Sequence, residues 1–78
     1  MGRPKYRTVT VGAVYSTVDK KATSEILNGV DWKISVFDPR YNFAHEWVDT
    51  WLEIDITVER LEWDDIEEDI LEAGWSMV

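Results

Sequence analysis

Val48-Asp49-Thr50-Trp51-Leu52-Glu53-Ile54-Asp55-Ile56-Thr57-Val58 is the stretch that decides the fold. Apolar and polar residues alternate without a break over 52–58, and successive side chains of a strand point to opposite sides. Val48, Leu52, Ile54, Ile56 and Val58 share one face. Trp47, Asp49, Trp51, Glu53, Asp55, Thr57 and Glu59 share the other. A strand with one apolar and one polar face belongs to an antiparallel sheet covered on one side only.

Two further strands lie upstream. Val9, Val11, Ala13 and Tyr15 alternate with Thr8, Thr10 and Gly12, and Val30, Trp32, Ile34 and Val36 alternate with Asp31, Lys33 and Ser35, ending at Asp38-Pro39. Between them, residues 22–28 run into Asn28-Gly29, a strong signal for a tight hairpin turn. A single helical turn capped by Thr23 or Ser24 and ended by Gly29 competes with that reading, and the hairpin is favoured. Residues 40–51 are open between strand, helix and loop. The helical version takes Pro39 as the first helical residue and Phe43, Trp47 and Trp51 as its stripe.

Downstream, Asp64 is a suitable helix cap, Glu67 follows three residues later, and Ile66, Ile70 and Leu71 form an apolar stripe closed by Gly74. The expectation is an α+β fold: three or four antiparallel strands with one C-terminal helix on the apolar face. The 78 residues make one domain. Residues 1–4 are expected to be a flexible N-terminus.

Composition narrows the function. The chain has no cysteine, which rules out a disulfide framework and thiolate metal sites. No apolar run approaches the ~20 residues that span a bilayer, and the basic start lacks the apolar segment of a secretory signal. A cytoplasmic location, in a host cell, is the expectation. His45 is the only histidine, with no nucleophile elbow, phosphate loop or dinucleotide fingerprint beside it. The run Asp64–Asp69 lacks the central glycine and ligand spacing of a calcium loop. No catalytic residue, metal site or cofactor is expected, and the chain is not expected to be an enzyme.

Charge carries the positive signal. The net charge is −8, yet residues 1–40 hold seven basic and four acidic side chains, whereas residues 41–78 hold one basic and twelve acidic. Nucleic acid and anionic membrane are therefore poor partners, and a basic protein surface is a good one. Asp49, Glu53, Asp55 and Glu59 recur along one strand face at about 6.6 Å per two residues. Asp65, Glu68, Asp69 and Glu72 neighbour one another on the helix at about 5–6 Å. Both pitches resemble successive phosphates of a nucleic-acid strand. With Trp47 and Trp51 as apolar anchors, these residues form the expected partner-binding set. The same acidity would also serve solubility alone.

In acidic excess, lack of cysteine and small sheet-plus-helix character, the chain resembles the small inhibitors encoded by bacteriophages, among them anti-CRISPR, anti-restriction and other DNA-mimic proteins. The resemblance covers composition and carries over no residue. It implies a non-enzymatic inhibitor that blocks a nucleic-acid-binding host protein, as a monomer or homodimer. The alternative is a structural or assembly module that homodimerises or docks through a sheet edge and exposed aromatics.

Overall fold

The computed structural model describes residues 5–78; the segment 1–4, expected to be flexible, lies outside them. The fold is α+β. Strands β1 (Tyr6–Val14), β2 (Asp31–Tyr41), β3 (Trp47–Glu59) and β4 (Ser76–Met77) make one antiparallel sheet in the order β2-β3-β1-β4. Helices α1 (Lys20–Ile26) and α2 (Arg60–Glu72) cover one face of it. The C-terminal helix thus has a shorter companion.

The decisive stretch behaves as its alternation requires. Thr50, Leu52, Ile54, Ile56 and Val58 are buried, while every second residue between them is half-exposed. Opposite residues of an antiparallel pair share a face, so the register Val9↔Ile56, Val11↔Ile54, Ala13↔Leu52 brings three more apolar side chains under the helices. Tyr15 does not continue that row. It opens a short 3-10 turn, Tyr15–Thr17, and is exposed, with the Lys20 ammonium 4.4 Å from its ring.

The expected hairpin over 22–28 is replaced by α1. Asp19 caps this helix, its carboxylate accepting from Ala22 N–H at 3.0 Å, and Gly29 at φ +81° turns the chain out of it. Asn28-Gly29 is thus an exit from a helix, a position that wants the same left-handed backbone as a tight hairpin. The true hairpin joins β2 to β3. β2 runs through Pro39 to Tyr41, which an edge strand permits because one side of its backbone needs no partner. Asn42 closes the turn by accepting from Ala44 and Glu46 N–H at 2.9 and 3.1 Å, and the helical reading of residues 39–51 is overturned.

A bulge at Ser35 breaks the simple alternation of β2. Trp32 and Ile34 lie opposite Ile56 and Ile54 on the inner face, but beyond the bulge Val36 faces Glu53 on the outer side and Phe37 turns inward opposite Leu52. α2 also starts earlier than expected. Arg60 follows β3 directly, so Asp64 is an interior residue and not the cap. The inward stripe is Trp63, Ile66, Ile70 and Ala73, with Leu71 outside it. Burying Trp63 against the sheet outweighs the preference of Asp64 for a helix end. Gly74, at φ +107°, ends the helix as expected.

Candidate functional site

The ten residues expected to meet a partner fall on two sides of the molecule. β3 places Asp49, Trp51, Glu53, Asp55 and Glu59 on the outer face of the sheet, away from the helices. A second register shift, between Arg40 and Tyr41, pairs Trp47 with Tyr41 and so puts it on the side opposite Asp49, not beside it as the plain alternation requires. Asp65, Glu68, Asp69 and Glu72 are exposed on α2, in the layer behind the inner face. The strand set and the helix set therefore do not form one surface.

On the sheet face each carboxylate already has a partner. Ser16 Oγ donates to Asp49 at 2.7 Å, the Trp51 indole N–H to Glu53 at 2.7 Å, and Thr10 Oγ1 to Asp55 at 2.7 Å. Lys5 bridges Glu59 at 3.3 Å. Lys33 and Arg40 of β2 sit in register opposite Asp55 and Asp49. This face is a knitted polar layer of mixed charge, with its acids occupied. Trp51 lies across Gly12, where a Cβ would come within 2.6 Å of its ring, which explains why a small residue faces it from β1.

The Ser16 hydroxyl, and after it the Thr50 N–H, hold the Asp49 carboxyl below its ordinary pKa. Both bonds favour the charged form. Their stabilisation is therefore present above the pKa of an unfolded aspartate and is lost as pH falls through the lower folded value. In a carboxyl-carbon NMR titration Asp49 should titrate below an unperturbed aspartate, and Ser16→Ala should move it upward. An unchanged midpoint would show that the hydroxyl does not hold it.

The helix layer differs. α2 carries Glu62, Asp64, Asp65, Glu67, Glu68, Asp69 and Glu72 against the single basic Arg60. Glu62, Asp65, Asp69 and Glu72 are exposed and three or four residues apart, which sets them in one row. Where this row meets α1, a crevice of about 320 Å³ opens between the helices. Asp19 and Glu25 line one side, Asp69 and Glu72 the other, and Ala22, Ile26 and Ala73 the floor; no basic side chain contributes. Asp19 and Glu25 were not part of the expected set. They lie in the mildly basic half of the chain, and only the packing of α1 on α2 brings them to the acidic row.

The remaining surface of note is apolar. Beyond Val14, β2 and β3 continue as a two-stranded arm, which helps draw the molecule out to 55 × 26 × 18 Å. Trp47 is 55% exposed near its tip, edge-on to Tyr41 with centroids 5.2 Å apart, and Phe43 in the turn is 99% exposed. His45 sits in the same turn at φ 61° and is exposed. On the inner face the helices stop short of β2. That leaves an open groove of about 540 Å³ between α1 and β2, lined by Leu27, Trp32, Ile34, Leu52, Ile54 and Trp75 among others. Trp32, expected in or beside the core, is half exposed there, whereas Trp63 is buried.

Among the described residues no group of three or more histidine or carboxylate side chains is placed to hold a metal ion, and no helix is long and apolar enough to cross a membrane. No family model, curated protein or solved structure matches the chain.

Proposed function

We propose that this chain is a non-enzymatic binding protein that occupies the nucleic-acid site of a basic protein and so blocks it, with the acidic helix layer as its contact surface. The observation that carries the reading is the crevice between α1 and α2, which Asp19, Glu25, Asp69 and Glu72 line without a basic side chain, Asp19 also serving as the cap of α1. Such a site suits an arginine or lysine side chain from a partner. The row Glu62, Asp65, Asp69, Glu72 extends it at a pitch close to that of a phosphate backbone. Asp49, Glu53, Asp55 and Glu59 take a lesser part, because each would have to give up an internal bond first. The inhibitor class that fits is the phage-type DNA mimic, anti-CRISPR and anti-restriction proteins included, acting in the cytoplasm of a host cell. The uncovered β2 edge and the aromatic tip favour a second reading, an assembly module that docks through them.

The test is capture from a nuclease-treated host lysate on the immobilised chain. A partner of the proposed kind binds at about 50 mM salt, weakens on the order of a thousandfold by about 200 mM, and is released by added double-stranded DNA. The quadruple variant Asp65→Lys, Glu68→Lys, Asp69→Lys, Glu72→Lys should lose it while keeping its circular dichroism spectrum. Capture that ignores salt and DNA, or survives that variant, overturns the reading.

A further inference from the structure

We infer that β2 is the interface of a homodimer, in which the edge strands of two copies pair antiparallel and join their sheets into one of eight strands. β2 is the end strand of the sheet, eleven residues long, and nothing among the described residues covers its free edge. Its inner-face side chains Trp32, Ile34 and Phe37 are exposed, Phe37 by 64%. An uncovered strand of this length and apolarity is a template for a further strand.

The sequence of β2 specifies which strand. Because of the bulge, Trp32, Ile34, Phe37 and Pro39 share the inner face, and Asp31, Lys33, Asp38 and Arg40 the outer one. A two-fold axis between Ser35 and Val36 then sets Asp31 opposite Arg40 of the second copy, Lys33 opposite Asp38, Ile34 opposite Phe37, and Trp32 opposite Pro39. All four charges meet their opposites, the four inner-face residues meet one another, and at the axis Val36 meets Ser35. Sliding the second copy by two residues either way opposes Lys33 with Arg40 or Asp31 with Asp38, both like-charge pairs that destabilise a ladder. Within each copy Arg40 already bridges Asp38 at 2.9 Å, so the four charges of each half join one network.

A bulge, a lysine and a proline usually blunt an edge against pairing. Here each has a counterpart. The bulge falls on the symmetry axis and meets the second copy's bulge, and without that extra residue this register would set inner-face residues against outer-face ones. Lys33 meets a carboxylate, and Pro39, which lacks an N–H donor, packs on Trp32. A second copy is thus the occupant that the edge is complementary to, as a two-fold interface requires.

Sedimentation equilibrium of the full chain tests this. The wild type should show twice the chain mass. Asp31→Arg alone should face Arg40 across the interface, and Arg40→Asp alone should face Asp31. Each should weaken dimerisation roughly tenfold or more. An equimolar mixture of the two should restore the dimer, because each bad pair becomes a good one. Asp31 lies opposite Thr57 within its own sheet, so the first variant leaves the monomer's fold unchanged. Amide exchange at Trp32, Ile34 and Phe37 should slow with rising wild-type concentration. A wild type that stays monomeric to millimolar concentration overturns the inference. So do single variants that dimerise as the wild type does, a mixture that fails to recover, and exchange that ignores concentration.

Discussion

Trp63→Ala should destabilise the domain by about 3–5 kcal/mol, the range for deleting a buried aromatic side chain. Trp63 is 2% exposed and stands first in the inward stripe of α2, which follows β3 without a loop. It is the first side chain that ties the acidic helix to the sheet. A single core in a chain this small supplies only about 3–5 kcal/mol of net stability, so the variant should be largely unfolded at room temperature. Urea denaturation of the wild type, with the variant's ellipticity in plain buffer, measures this. Leu61, two residues earlier and 80% exposed, gives the contrast: Leu61→Ala should cost under about 0.5 kcal/mol. A Trp63→Ala domain as stable as Leu61→Ala would mean that α2 is not held by its inward stripe.

That contrast also marks how far the sequence could be read. Where burial is one-sided and the strand regular, alternation alone placed the faces. Every inward residue of β3 from Leu52 to Val58 and of β1 from Val9 to Ala13 is where its spacing requires. β2 escaped at Ser35, since a bulge adds a residue without changing the composition around it, so Val36 and Phe37 exchanged faces. α1 escaped for another reason. Seven residues give barely two turns of periodicity, and Asn28-Gly29 carries the same left-handed preference whether it ends a helix or closes a hairpin. The cap chemistry of Asp64 points to a later start for α2 than the burial of Trp63 inside the helix allows. The candidate site suffered from the same limits. The acidity of residues 41–78 was plain, but that its two arrays lie back to back follows from α2 folding under the sheet. The part played by Asp19 and Glu25 depends on a helix the spacing did not reveal.

Gly74→Ala should cost about 2–4 kcal/mol and open the acidic crevice, because two separate obstacles act at one position. At φ +107° the backbone of residue 74 is one that a side chain strains. In addition, a Cβ there would stand 2.8 Å from the Thr17 carbonyl oxygen, a backbone atom that cannot swing aside. Relief requires the segment around Thr17 to move away from the end of α2. That segment leads into Asp19, whose N–H donates to the Ala73 carbonyl at 2.8 Å and whose carboxylate both caps α1 and lines the crevice. Gly29→Ala separates the two obstacles. Gly29 shares the left-handed backbone, at φ +81°, but has nothing within 4 Å of an added Cβ, so that variant should cost only about 1 kcal/mol. Denaturant midpoints for the two variants, with amide exchange at Asp19, decide the matter. Faster exchange at Asp19 in Gly74→Ala but not in Gly29→Ala is the expected result. Equal costs would mean that backbone strain alone matters at residue 74. The docking of α1 on α2, and with it the meeting of Asp19 and Glu25 with Asp69 and Glu72, would then have to be held by the buried side chains beneath them.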